Sequence, residues 1–82
     1  METIYLDHIS ATPLHPEVKR AMIDSLSNSF GNPVSQHHLG DAALEALEGA
    51  REEVAKLINA NPQEVVFTSG GTESINHAVK GV

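Results

Sequence analysis

Apolar residues recur every four positions early in the chain. Val18, Met22 and Leu26 follow Pro16, and proline is favoured at the first turn of a helix. One apolar stripe at this spacing predicts an amphipathic helix of about three turns that begins at Pro16. The helix should stop near residues 27–33, where Ser, Asn, Gly and Pro cluster. The short apolar run at residues 4–6 is predicted to be extended.

A second and longer repeat follows this loop. Its apolar positions are separated by four, three, four and three residues, and glutamates fill the opposite face. This periodicity predicts an amphipathic helix from residues 40–41 to about residue 59. Asp41 would lie at the positive start of the helix, where a carboxylate is favoured. The stripe consists of Ala43, Leu47, Ala50, Val54 and Leu57.

A strand-like run leads into two glycines near the end of the chain. Val65-Val66-Phe67 is rich in β-branched and aromatic side chains and predicts a strand over residues 64–68. It stops at Gly70-Gly71, and a helix is predicted from about Thr72 onward. Glycines let a ligand approach the backbone, and the first amides of a helix lack partners within it. This order of elements therefore predicts an anion site that suits a phosphate group.

The same turn also has a simpler explanation. Thr commonly caps helices and glycine commonly turns chains, so Gly71 and Thr72 taken alone favour an ordinary N-cap. Glu73 would lie in the first turn of the helix, where a carboxylate offsets the helix dipole. We interpret Glu73 as a capping residue rather than a catalytic one.

The chain is small, acidic and free of cysteine. Its 82 residues allow at most one small domain, and a net charge of -6 argues against a nucleic-acid partner. Disulfides, thiolate metal sites and a nucleophilic cysteine are excluded within the chain. No apolar run approaches the roughly 20 residues that span a bilayer. The N-terminus also lacks an apolar signal core, so we expect a cytoplasmic protein without membrane contact.

Histidine and amide side chains in the loops offer few further sites. Adjacent residues point apart and no second pair lies at ligand spacing, so His37-His38 makes a poor metal site and we expect no metal. His8 and His15 flank a loop and could approach a substrate carboxylate, although a plain surface position is the default. Asn32 lies in a Gly-Asn-Pro sequence that favours a fixed turn over a substrate contact. His77 is expected to be structural.

The predicted order of elements is helix, helix, strand, helix, which is typical of an α/β protein. A parallel sheet needs several neighbouring strands, and only one good strand is present. Either residues 4–6 pair with it, or the missing strands come from another polypeptide, which we favour. The last helix has no stop signal, so we expect the chain to be the front piece of a larger protein.

Three motifs coincide in order and spacing. They are residues 5–18 around Asp7-His8, residues 30–37 around Gly31-Asn32-Pro33, and residues 64–76 around Gly70-Gly71-Thr72. Together they resemble the N-terminal part of the cysteine desulfurases, which belong to the class V aminotransferase group of pyridoxal-phosphate enzymes. The resemblance covers essentially the whole chain.

The resemblance implies the N-terminal fragment of a fold-type-I transferase that depends on pyridoxal phosphate, with a sheet left incomplete in this chain. Residues 1–15 would form a small-domain arm on the substrate side, and residues 16–82 would begin the cofactor-binding large domain. Residues 30–37 would lie near a homodimer interface and the active-site mouth. The Gly-Gly-Thr turn would hold the phosphate end of pyridoxal 5'-phosphate, which assigns cofactor binding to Gly71 and Thr72.

The implied activity removes sulfur from L-cysteine as an enzyme persulfide, with alanine as the product. A scaffold or acceptor protein would take the sulfur for iron–sulfur cluster or thio-cofactor synthesis. The family's Schiff-base lysine follows a Ser-x-His run, and this run is absent here, as is any cysteine to carry persulfide. We therefore expect no catalytic residue in the chain and no activity from these 82 residues alone. A complementing chain or the remainder of the enzyme would be needed.

Two departures from the family pattern lie in the N-terminal arm. Ser10-Ala11-Thr12 stands where Ala-Thr-Thr is usual, and Ile9 stands where a small or amide residue is commoner. The substrate-side contacts are therefore less defined than the phosphate contacts. Two alternatives stay open, namely another class V enzyme (an aminotransferase or a selenocysteine lyase) and a non-catalytic interaction module of a sulfur-transfer complex.

Overall fold

Three α-helices account for most of the regular structure in the computed structural model, which describes residues 2–81. They are α1 (Pro16–Asn28), α2 (His38–Leu57) and α3 (Gly71–Gly81), and a 3₁₀ turn (Pro62–Glu64) lies between α2 and α3. The three predicted helices are confirmed to within a few residues. Contacts divide the chain between Ala46 and Leu47, inside α2, into two units that are described in turn.

The helix α1 begins at Pro16, as the sequence predicted. The ring of His15 caps it, because Nδ1 accepts a hydrogen bond from the amide of Glu17 at 3.1 Å. Pro16 then occupies the first turn, where its missing N–H would have no partner in any case. The apolar stripe is present but uncovered, and Val18, Met22 and Leu26 are 47%, 50% and 76% exposed.

The loop between α1 and α2 is held by close backbone contacts. Asn32 forms the predicted turn, with its side-chain Oδ1 accepting from the amide of Val34 at 3.0 Å and its carbonyl accepting from Ser35 at 2.9 Å. A Cβ at Gly40 would lie 2.8 Å from the carbonyl oxygen of Asn32 and would overlap the carbonyl oxygen of Ser35. A Cβ at Gly31 would likewise lie 2.6 Å from the carbonyl carbon of Leu39. Any side chain at either position would therefore force the neighbouring backbone to shift.

The helix α2 begins two residues before the predicted start. His37 precedes it and its Nδ1 accepts from the amide of Gly40 at 3.2 Å, which caps the first turn. At the other end Asn59 has a positive φ of 55°. The amide of Ala60 donates to Ala55 at 2.8 Å and that of Asn59 to Lys56 at 3.3 Å, which is the Schellman pattern of helix termination.

The strand predicted for residues 64–68 is wrong for the part of the chain that the structure describes. Pro62–Glu64 form a 3₁₀ turn, and residues 65–68 continue without a hydrogen-bonded ladder. Val65 nevertheless has extended dihedral angles, φ −98° and ψ 125°. A strand is defined by its partner, and no segment within residues 2–81, including residues 4–6, pairs with this one. The sheet of the predicted α/β class is therefore not seen here.

Few apolar side chains are buried in either unit. Ala43 is the buried apolar residue of the first unit, and Ala55 and Val65 are those of the second, within the described residues. Large apolar side chains remain exposed along α1 and α3, among them Ile75 at 65% and Val79 at 73%. An uncovered stripe of this kind is the face that an amphipathic helix normally buries against a neighbour.

Candidate functional site

The Gly-Gly turn is the start of α3. The amide of Ser74 donates to the carbonyl oxygen of Gly70 at 3.1 Å, so Gly70 is the capping residue and Gly71 the first helical residue. The sequence predicted that this helix begins at Thr72, and it begins one residue earlier, at Gly71. This places Gly71 and Thr72 at the positive end of the helix dipole.

The first amides of α3 are available to a ligand. Those of Gly71, Thr72 and Glu73 have no acceptor within residues 2–81. A Cβ at Gly70 or at Gly71 would meet no atom within 4 Å, so the approach to these amides is open. All of these residues are exposed. Adjacent unpaired N–H groups at a helix start are the donors that phosphate-binding turns use.

Three polar groups fix the shape of the turn. The hydroxyl oxygens of Thr68 and Ser74 lie 2.6 Å apart. The same two hydroxyls lie 3.2 and 3.0 Å from the carbonyl oxygen of Gly70. One hydroxyl donates to the other, and the second donates to this carbonyl oxygen. The end of the extended segment is thereby tied to the first turn of α3, on either side of the two glycines.

Glu73 reaches back across the turn. Its Oε2 accepts from the amide of Ser69 at 3.0 Å and from the hydroxyl of the same residue at 3.2 Å. Glu73 thus lies in the first turn of α3 as predicted, and its carboxylate restrains Ser69, the residue before the cap. Because its carboxylate is bonded to Ser69, it makes no hydrogen bond to the amides of Gly71 or Thr72.

A phosphate group fits this arrangement. Its negative charge suits the helix start, and the open amides of Gly71 and Thr72 would donate to its oxygens. Thr72 adds an exposed hydroxyl, while its carbonyl oxygen accepts from the side-chain amide of Asn76 at 2.8 Å. All of these donors belong to one turn, so the described residues would contact a phosphate group from one side only.

Arg51 of α2 contacts residues 65–67, which precede the Gly-Gly turn. Its Nη1 donates to the carbonyl oxygen of Val65 at 2.5 Å, and its guanidinium carbon lies 5.0 Å from the centre of the Phe67 ring. Its Nε also pairs with the carboxylate of Glu48 at 3.2 Å. The sequence interpretation gave Arg51 no role. The available signal was its position three residues before Val54, which places a charged residue beside the apolar stripe of α2.

The predicted loop of the N-terminal arm is held by hydrogen bonds that the sequence did not indicate. The hydroxyl of Tyr5 lies 2.6 Å from the carbonyl oxygen of Ala11 and 3.1 Å from that of Asp7. His8 Nδ1 lies 2.8 Å from the hydroxyl oxygen of Thr12, and its ring packs edge-on against Tyr5 at 4.7 Å. These contacts lie within residues 1–15, so the loop belongs to the predicted substrate-side arm.

Two of the other histidines cap helices. His15 and His37 cap α1 and α2, and His77 lies on α3 as predicted. Within residues 2–81, no three His, Asp or Glu side chains are grouped so that they could hold a metal ion. The same residues contain no helix long and apolar enough to cross a bilayer.

Comparison with known proteins now assigns the chain to a family. The sequence profile described as Aminotransferase class-V matches residues 4–82. The chain belongs to the class V aminotransferase family. Membership implies the fold-type-I architecture and the pyridoxal-phosphate cofactor of that family, which agrees with the resemblance derived from the three motifs.

Several curated class V proteins are similar over nearly the whole chain. The cysteine desulfurase IscS of Methylococcus capsulatus is 54% identical over 79 residues, covering 95% of this chain and 20% of the relative. That of Dictyoglomus turgidum is 53% identical over 79 residues, with 96% and 20% covered. That of Azotobacter vinelandii is 51% identical over 82 residues, again with 96% and 20% covered. The chain therefore spans about a fifth of the length of these relatives, at their N-terminal end.

Proposed function

We propose that this chain supplies the phosphate-binding turn of a pyridoxal-phosphate-dependent cysteine desulfurase. The observation that carries the proposal is the open start of α3, where the amides of Gly71 and Thr72 have no acceptor among residues 2–81 and a Cβ at Gly71 would meet no atom within 4 Å. The identity of about half the residues to proteins named cysteine desulfurase supports the same assignment and favours it over an aminotransferase or a selenocysteine lyase.

In this proposal the cofactor phosphate is held by groups of one turn. The amides of Gly71 and Thr72 and the Thr72 hydroxyl donate to phosphate oxygens. Glu73 holds the amide of Ser69, and Asn76 holds the carbonyl oxygen of Thr72, so both ends of the turn are restrained. The macrodipole of α3 adds favourable charge at the same place.

Pyridoxal phosphate supplies an electron sink for chemistry at the substrate's α-carbon. The lysine that anchors it and the cysteine that receives sulfur lie outside these 82 residues in our proposal, because the chain has no cysteine and no Ser-x-His-Lys sequence. The substrate is then L-cysteine and the products are alanine and a protein-bound persulfide. We assign no catalytic residue to this chain.

The proposal extends to the assembly in which the turn works. Residues 1–15 form the substrate-side arm and residues 16–82 begin the cofactor-binding domain of a cytoplasmic homodimer. An acceptor protein draws sulfur from it for iron–sulfur cluster or thio-cofactor synthesis. The uncovered apolar stripe of α1 is consistent with such an assembly, because the remaining structure of the enzyme would provide a surface to bury it.

A hybrid enzyme tests the proposal. In it, this chain replaces the matching fifth of the Methylococcus capsulatus relative, and bound pyridoxal phosphate is followed by its absorbance. Gly71→Val combined with Thr72→Ala should raise the dissociation constant by at least about tenfold, because a bulky group and a lost donor oppose the phosphate. Alanine release from L-cysteine should fall in parallel at limiting cofactor.

Two controls make the result specific. Gly49→Ala should leave binding unchanged, since Gly49 lies in α2 and its added Cβ meets nothing within 4 Å, and Thr3→Ala should do the same because Thr3 lies outside the turn. A hybrid that binds no cofactor with the natural turn would refute the proposed function. Unchanged affinity in the double variant would refute the assignment of Gly71 and Thr72.

A further inference from the structure

Arg51 is the residue that joins the long helix to the segment leading into the turn. It makes three contacts at once, with the carbonyl oxygen of Val65, the ring of Phe67 and the carboxylate of Glu48. Its side chain is only 22% exposed, whereas that of Lys56, which pairs with Glu53 on the same helix, is 73% exposed. Arg51 is thus a part-buried cation with a defined geometry.

The contacts of Arg51 bear on the path of the backbone. Residues 65–67 have no ladder partner within the described chain, so hydrogen bonding to another strand does not fix them. Val65 is instead held by its buried side chain and by the Arg51 bond to its carbonyl oxygen. Two residues on, the ring of Phe67 lies against the same guanidinium group.

The next residue carries this constraint into the phosphate site. Thr68 follows Phe67 directly, and its hydroxyl contacts Ser74 and the carbonyl oxygen of Gly70. Gly70 is the cap that precedes the open amides of Gly71 and Thr72. A continuous series of contacts therefore leads from Arg51 to the donors, although Arg51 itself touches neither.

We infer that Arg51 is a positioning residue for the cofactor phosphate, acting through residues 65–68 on the start of α3. This inference rests on the proposed function. A planar guanidinium group can donate to Val65, pair with Glu48 and stack on Phe67 together, whereas a lysine ammonium group can satisfy only part of this set. The role is specific to the phosphate end of the cofactor, because the turn faces no other part of it in our assignment.

The test uses the hybrid enzyme and two ligands that differ only in the phosphate. Dissociation constants for pyridoxal 5'-phosphate and for pyridoxal are measured spectroscopically with the natural chain and with Arg51→Met, Arg51→Lys and Lys56→Met. Arg51→Met should weaken binding of the phosphorylated ligand about tenfold and leave binding of pyridoxal unchanged. Arg51→Lys should give an intermediate loss, and Lys56→Met should affect neither ligand.

The outcomes separate positioning from general stability. An equal loss for both ligands would overturn the inference, since it would mark a fold defect, and so would no loss for either. If Arg51→Met does not yield folded protein, Arg51→Lys decides by the same comparison. A natural hybrid that binds neither ligand would instead refute the proposed function, which keeps the two failures distinguishable.

Discussion

At the scale of single residues, the glycines fall into two groups with different physical roles. Gly31 and Gly40 have neighbouring backbone atoms where a Cβ would be, whereas Gly70 and Gly71 face open space. None of the glycines in the described chain has a positive φ, so the distinction is one of room rather than of dihedral angles. Gly31 and Gly40 are required by packing, whereas Gly70 and Gly71 are free of that constraint, which is compatible with the ligand site that we propose.

This contrast leads to a prediction about Gly40. Gly40→Ala should destabilise the hybrid enzyme by about 1–3 kcal/mol, because the new methyl group must displace the backbone of Ser35 or Asn32. Gly49→Ala is the matched control, since Gly49 lies in α2 and a Cβ there meets nothing within 4 Å. Urea midpoints of the cofactor-free hybrids measure the difference. Equal midpoints for the two variants would contradict the steric argument.

Single residues also show what the sequence could predict about the candidate site. Gly71 and Thr72 stood out because glycines before a helix are a local signal, and the structure places both at the helix start. Arg51 and Val65 are 14 positions apart, and their contact depends on how α2 and residues 65–68 pack. A contact between residues so far apart in the sequence produces no local sequence pattern from which it could be predicted.

At the scale of elements, helix boundaries follow from local chemistry. Pro16 begins α1 as predicted, and Asn59, with its positive φ, follows the end of α2 close to the predicted boundary at residue 59. The strand over residues 64–68 was a weaker prediction, because strand formation needs a partner elsewhere. Its residues are extended at Val65 yet unpaired within the described chain, so the pattern predicted the backbone conformation better than the sheet.

The end of α2 provides a prediction at this scale. Asn59→Ala should destabilise the hybrid by about 1 kcal/mol, because a Cβ without a compensating polar group is unfavourable at a φ of 55°. Asn59→Gly should match or exceed the natural stability, since glycine tolerates this conformation best. Urea midpoints again provide the measurement. A destabilised Asn59→Gly together with an unaffected Asn59→Ala would show that the turn is not held by its left-handed residue.

At the scale of the whole chain, buried apolar surface is scarce. The buried apolar residues of the described chain are two alanines and one valine, while α1 and α3 leave their apolar side chains exposed. Burial of apolar surface is the main favourable contribution to folding, and the loss of backbone entropy opposes it. The helices predicted from periodicity are present. Periodicity does not, however, predict which surface packs against their apolar faces.

The isolated 82-residue chain should therefore be poorly folded in solution. We expect a broad thermal transition by circular dichroism, rapid amide exchange and no absorbance from bound pyridoxal phosphate, because so few side chains are buried. Within the hybrid enzyme the amides of α1 and α3 should become protected from exchange. A sharp cooperative transition of the isolated chain would contradict this expectation and would favour the stand-alone interaction module.

The unpaired segment at residues 65–68 has a consequence for how the protein must be made. Val65-Val66-Phe67-Thr68 carries no charge and no proline, and Val66 is 57% exposed. Extended segments of this composition associate edge to edge with copies of themselves, which leads to aggregation. In the enzyme that we propose, the backbone groups that would accept a neighbouring strand are therefore exposed to such association until that strand is present. We therefore expect more folded protein when this chain is synthesised together with the rest of the proposed enzyme than when the two parts are purified separately and then mixed.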